Sequence, residues 1–262
     1  MAIGLTNSLS SIGISQYQAT QSMSTGRRLN TAADGPAGMA ESSSFNVQIS
    51  GAAQALNNAQ NASSLLNTAQ GGVTQVANDL QRINTLSVQA GNSALSASNR
   101  QAIQTQINQF LQNINQTSQN AAFNGQPLLN GTQGSPAQVG PNVGNTQTVP
   151  STNLSTASLG INGLNVASNS GQSAALSAVK QAIEAAGSAG ASLGAAQTGI
   201  GVAQSVQGTA HVNASASNGA LSDTNYASAA SSLAQNNIQQ QATTYAINMY
   251  NAVQRTSLAL LP

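Results

Sequence analysis

Few residues in this sequence have side chains that perform nucleophilic or acid–base chemistry. Cysteine is absent and His211 is the single histidine, which excludes a thiol nucleophile and a multi-histidine metal site. A Ser-His-Asp arrangement would need His211, but the sequence has no nucleophile elbow, and the ordinary interpretation is a solvated residue at a helix end. Lys180 lies outside any GxxxxGK phosphate loop. We therefore expect no enzyme, and no catalytic, cofactor-binding or metal-binding residues.

Charge also argues against several classes of partner. Charged residues make up 4% of the 262 residues and the net charge is +1, whereas soluble domains contain about 25%. Such a chain has no electrostatic attraction to nucleic acid or to acidic membranes. No run of 18 apolar residues predicts a membrane span, and the N-terminus lacks the basic and apolar regions of a signal peptide.

Most of the chain is predicted to form helices, because apolar residues recur at spacings of three, four and seven. The first helix is expected over residues 3–23, ending near Gly26, and the second from Phe45 to Ala90. A third begins around Ser98, which has capping-box spacing with Gln101. A helix of 45 or more residues would be about 70 Å long, a length typical of coiled coils and filaments.

The second half of the chain repeats this pattern after an irregular centre. Residues 120–170 contain four of the six prolines, and the runs 136–139 and 146–149 are candidate strands. Helical periodicity resumes near Gln172, where repeated glycines are expected to let another helix approach closely. A final helix is expected to start at Asp223 as its N-cap. The predicted fold is mainly α: both chain ends form long antiparallel helices in a coiled coil, with a small β-hairpin in the centre.

Four segments of the chain match known sequence motifs. STGRRLNTAADGPAGMA from Ser24 resembles SSGLRINSAADDPAGLAI, and LQRINTLSVQ from Leu80 resembles LQRVRELAVQ. FNGQPLLNG from Phe123 resembles FNGxxLLxG, and LGAAQ from Leu193 resembles LGAVQ. These motifs occur in the right order over almost the whole chain, and together they resemble bacterial flagellin. The resemblance implies an inner coiled-coil domain from residues 1–40 and 222–262 and a helical rod domain with a small β element from residues 41–221. Flagellins often have further outer domains, but too few residues separate Gly144 from the next predicted helix, so none are expected here.

The resemblance further implies a structural subunit that self-assembles into the bacterial flagellar filament used for swimming. The chain would be exported without a cleaved signal peptide and would lie outside the cell, as a homopolymer. Its other partners would be the flagellar cap, hook-junction proteins and an export chaperone. The residues expected at subunit interfaces are Leu5, Leu9, Ile12, Arg28, Ile238, Tyr245, Met249, Val253, Leu258, Leu260 and Leu261.

In the family, the LQRVRELAVQ segment contributes to recognition by an innate immune receptor. The residues that match it here, and that form a candidate receptor-facing strip, are Gln81, Arg82, Leu86 and Gln89. The family's second arginine and its glutamate are Asn84 and Thr85 in this chain.

Two other functions are compatible with the sequence. A hook–filament junction protein shares the terminal helices but is present in few copies. A secreted adhesive protein would explain why 61 residues are Asn or Gln, although sustained helical periodicity disfavours it.

Overall fold

The computed structural model describes residues 2–132, 134 and 136–259. Its five α-helices are α1 (Ala2–Thr25), α2 (Pro36–Ala90), α3 (Ala97–Asn120), α4 (Asn169–Ser222) and α5 (Tyr226–Ala259). Four short strands lie between α3 and α4: β1 (Ala122–Phe123), β2 (Gln126–Pro127), β3 (Pro136–Gln138) and β4 (Thr146–Thr148). The prediction of a mainly α fold with a small central β element is confirmed.

The helix ends follow from local sequence. Gly26, with φ of 70°, ends α1 in the left-handed conformation that glycine adopts without strain. The second helix begins at Pro36, earlier than the expected Phe45, because proline is favourable in the first helical position.

Two predicted caps are wrong by a few residues. The N-cap of α3 is Ser96, whose hydroxyl accepts a hydrogen bond from the Asn99 amide at 3.2 Å, and not Ser98. Before α5, the Asn225 side chain accepts from the Ser228 amide at 3.1 Å. Asp223 instead forms a backbone bridge with Arg27. In both places the sequence offers two polar residues close together, and the periodicity does not choose between them.

The central strands form two separate antiparallel hairpins. In the first, Phe123 pairs with Gln126, and the two-residue turn has Asn124 and Gly125 at φ of 50° and 77°. Asn-Gly is the preferred sequence for such turns. The second hairpin pairs Pro136 with Thr148 and Gln138 with Thr146, as the two candidate strands predicted.

The chain forms two compact units, residues 50–211 and residues 1–49 with 212–262. We call the first the central unit and the second the terminal unit. The central unit has a continuous core from α2, α3, α4 and the segment between α3 and α4. Its largest fully buried side chains are Leu66, Val76, Leu80, Ile83, Ile107, Ile114, Leu129, Ile161, Val166, Val179, Leu193 and Ile200.

Candidate assembly surfaces

The terminal unit is built on an antiparallel pair of helices, α1 and α5. Direction follows from two side-chain contacts: the Gln16 amide donates to Asn237, and the Tyr226 hydroxyl donates to the Met23 carbonyl. On α5 the positions shielded from solvent alternate at spacings of three and four, as in a coiled coil. They are Ala229, Leu233, Asn236, Gln240, Thr243, Ile247 and Tyr250.

On α1 the facing positions have the same spacing. Leu9, Ile12 and Met23 are half-buried and Ala19 is buried. Because α5 contributes Asn236, Gln240 and Thr243, the contact between the two helices is partly polar. We call this contact the seam.

A second apolar surface of α5 faces away from the seam. Ile238, Tyr245, Met249 and Val253 are 67%, 71%, 59% and 64% exposed. Since successive residues turn by about 100° around a helix, Tyr245 lies roughly opposite the seam residue Ile247. We call these four residues the outer stripe.

The α1 helix also has large apolar side chains away from the seam. Ile14 and Tyr17 are 61% and 68% exposed. Neither helix has charge on these surfaces, because α1 contains no charged residue and Arg255 is the single charged residue in α5. Copies of the pair could therefore approach on apolar and amide groups without charge repulsion.

For four of the other predicted interface residues, no side chain is described. Leu260 and Leu261 lie outside the described residues. Leu5 and Leu258 lie within α1 and α5, but their side chains are not among those described.

Arg28 makes contacts within its own chain. Its backbone amide donates to the Ser222 carbonyl at 2.6 Å, and guanidinium Nη2 donates to the Leu221 carbonyl at 2.7 Å. Both acceptors belong to the last turn of α4, where carbonyls lack helical partners and a cation is favourable. The described contacts of Arg28 thus close the end of α4.

The segment between α1 and α2 is held by one carboxylate and one apolar side chain. Oδ2 of Asp34 accepts hydrogen bonds from the amides of Thr31 (2.7 Å) and Asn30 (3.0 Å) and from the Thr31 hydroxyl (3.0 Å). The Thr31 amide, followed by the other two donors, lowers the pKa of Asp34 below its ordinary value. Leu29 is 4% exposed, and a Cβ placed on Gly38 would lie 3.0 Å from its Cδ1.

The candidate receptor-facing strip lies on α2 of the central unit. Gln81, Arg82 and Gln89 are exposed, while Leu86 is half-buried against the core. The Arg82 guanidinium lies over the Phe110 ring of α3, 5.8 Å from the centroid. This is a cation–π distance.

Sequence reasoning missed Asp79 as a buried acidic residue of α2. It is 3% exposed. Its Oδ1 accepts from Gln75 at 3.3 Å and its Oδ2 has no hydrogen-bond partner. Gly72, one heptad earlier on the same face, is also enclosed, because an added Cβ would lie 2.5 Å from Leu129. That seven-residue spacing is the signal that could have identified the buried position.

The described residues contain no group of three or more His, Cys, Asp or Glu side chains arranged to hold a metal ion. His211 is half-buried within α4, not at a helix end as expected, because α4 continues to Ser222. Within the same described ranges, no helix has both the length and the hydropathy of a membrane span.

Comparison with known proteins identifies the family. Residues 1–134 match the model of the bacterial flagellin N-terminal helical region. The chain belongs to the flagellin family. It is 37% identical over 160 residues to the phase 1 flagellin of Salmonella naestved and, equally, to the flagellin of Salmonella derby. The match covers 61% of this flagellin and 32% of those relatives, so it spans about a third of their length.

Solved structures support the fold. The flagellin of Bacillus cereus has a TM-score of 0.53 at 22% identity, over 57% of this chain and 88% of its own. A putative flagellar hook-associated protein from Vibrio parahaemolyticus has a TM-score of 0.61 at 14% identity, over 72% of this chain and 99% of its own. At these identities the likeness concerns the arrangement of helices alone.

Proposed function

We propose that this flagellin is a structural subunit that polymerises into the bacterial flagellar filament used for swimming. Family membership supports the proposal, and the observation that carries it is the outer stripe of α5. A helix pair with a partly polar seam and large apolar side chains on its outer faces gains by packing those faces against further copies. Its role would be mechanical and not catalytic.

The remaining assignments belong to the same proposal. Residues 1–40 and 222–262 would form the inner domain of the filament and residues 41–221 the rod domain, without outer domains. The subunit would lie outside the cell. The flagellar cap, hook-junction proteins and an export chaperone would be its other partners.

The predicted interface residues divide according to their surroundings. Ile238, Tyr245, Met249 and Val253 would become buried upon assembly, because they are exposed in the single chain. Leu9 and Ile12 would contribute mainly to the seam, which holds α1 against α5. The strip at Gln81, Arg82, Leu86 and Gln89 remains a proposed receptor-facing surface.

Seeded growth tests the proposal. Purified monomer is added to short filament fragments, and growth is followed by electron microscopy and light scattering. Wild-type chains should extend the seeds, whereas Tyr245→Asn combined with Met249→Gln should slow or abolish extension, since polar groups replace apolar surface.

Asn248→Ser provides the matched control. Asn248 is exposed on α5 between the two altered residues and points about a quarter turn away from the outer stripe. It should extend seeds like wild type. Failure of wild-type monomer to extend seeds, or normal growth of the double variant with unchanged monomer helicity, would contradict the proposal.

A further inference from the structure

The chain contains four Asn-Gly pairs, at residues 124–125, 130–131, 162–163 and 218–219. In such a pair the backbone nitrogen of glycine can attack the side-chain amide carbon of asparagine, because glycine has no Cβ to block the approach. The reaction requires an unengaged nitrogen, an accessible side chain and a backbone free to rotate. The structure distinguishes the four pairs by these requirements.

Two pairs are held by hydrogen bonds. Asn218 lies in α4, where its Oδ1 accepts from Ser42 at 2.7 Å and its Nδ2 donates to Asn46 at 3.0 Å. In the pair at 130–131, the Gly131 nitrogen donates to the Thr152 carbonyl at 3.1 Å. The Asn130 Oδ1 also accepts from the amide and hydroxyl of Thr132 at 3.0 and 2.8 Å. Attack would break these contacts.

The pair at 124–125 is held by backbone geometry. It forms the two-residue turn between β1 and β2, with pairing between Phe123 and Gln126 directly on either side. Asn124 has φ of 50°. Rotating the peptide to bring the Gly125 nitrogen onto the side chain would open the hairpin.

The pair at 162–163 meets the first two requirements, and no strand pairing restrains its backbone. Both residues are exposed and belong to neither a helix nor a strand. Among the described contacts, neither the Asn162 amide nor the Gly163 nitrogen has a hydrogen bond. The neighbours are anchored, since the Ile161 amide donates to Thr156 at 2.9 Å and Gln104 donates to the Leu164 carbonyl at 2.9 Å. The pair is therefore an exposed turn between fixed ends.

We propose that Asn162 is the principal site of non-enzymatic deamidation in the folded chain. The Gly163 nitrogen loses its proton to solvent base and bonds to Cγ of Asn162. The bond from Cγ to Nδ2 then breaks, and ammonia leaves with a proton from solvent. Water opens the resulting succinimide at either carbonyl, giving aspartate or isoaspartate. One amide and one water become one carboxylate and one ammonium ion, with no change of oxidation state.

The low charge of this flagellin makes the modification consequential. The chain has five Asp and Glu residues and a net charge of +1. A single deamidation adds one negative charge and brings the net charge to zero, where proteins associate most readily. Ageing of the chain would thus remove its net charge in one step.

Mass spectrometry of the full-length protein during incubation at mildly alkaline pH tests the proposal. The first acidic species should carry a mass gain of about one dalton, located at Asn162 by peptide fragmentation. Gly163→Ala should delay that species about tenfold, because the added methyl hinders attack. An added Cβ meets nothing within 4 Å at this glycine, so the variant should keep wild-type circular dichroism.

The same chain unfolded in urea is the control for intrinsic reactivity. In the unfolded chain the four pairs should deamidate at similar rates. Folding should slow deamidation of Asn124, Asn130 and Asn218 much more than that of Asn162. A first mass gain at another pair in the folded chain, or an unchanged rate in Gly163→Ala, would overturn the proposal.

Discussion

The central and terminal units differ in how completely each buries its apolar side chains. In the central unit Leu66, Leu80 and Ile107 are 0% exposed. In the terminal unit Leu29 is the one large apolar side chain of the described residues that is buried, while the outer stripe remains exposed. One unit thus completes its own core, and the other leaves apolar surface for further contacts.

The comparison shows that the same helical periodicity serves two purposes. In α2 the apolar positions at heptad spacing enter an intrachain core. In α5 the most apolar stripe lies outside, and a partly polar seam makes the intrachain contact. Burial in the single chain therefore depends on which elements surround a helix, and not on the strength of its stripe.

The largest effect should come from removing a side chain of the central core. Leu80→Ala should reduce the free energy of opening of the central unit by about 2–5 kcal/mol, because a fully buried leucine leaves a cavity. Hydrogen exchange with mass spectrometry measures this unit separately from the terminal one. A loss below about 1 kcal/mol would mean that the site collapses or that the core is looser than described.

A smaller loss is expected at the one buried large apolar residue of the terminal unit. Leu29→Ala should lower protection in residues 1–49 by about 2 kcal/mol, since its buried side chain lies against Gly35 and Gly38. Tyr245→Ala, which removes an exposed side chain, should change protection there by less than about 0.5 kcal/mol. Equal effects of the two variants would contradict the difference in burial.

Sequence alone predicted the helices and the second hairpin because their signals are local. Periodicity places Leu66, Leu80 and Ile83 on one face, and turns follow from glycine and proline. It could not tell that Tyr245 points outward while Gln240 faces α1, since α5 has polar and apolar positions at similar spacings. That choice depends on the partner helix.

The glycines of α4 are a further case in which the surroundings of a residue, and not the sequence pattern, decide its role. Sequence suggested that they admit a neighbouring helix, but an added Cβ at Gly187, Gly194, Gly201 or Gly208 would meet nothing within 4 Å in the chain. Gly194→Ala and Gly201→Ala should each raise the free energy of opening of the central unit by about 0.5–1 kcal/mol, from better helix propensity.

Gly199→Ala is the matched comparison on the same helix. Its Cβ would lie 2.9 Å from the Gln147 side chain, so any gain should be smaller because that side chain must move. Urea unfolding followed by circular dichroism would rank the three variants. A gain at Gly199 that exceeds those at Gly194 and Gly201 would show that close approach does not limit this helix.

The smallest effect should be the pH response of the terminal unit at Asp34. Because hydrogen bonds from Thr31 and Asn30 lower its pKa in the folded chain, the ionised carboxylate stabilises the fold. That stabilisation is complete above the unfolded value of about 3.9 and is lost as pH falls through the lower folded value. Asp34→Asn should remove this response in hydrogen exchange of residues 26–40 below pH 4. An unchanged acid response in that variant would show that Asp34 is not its source.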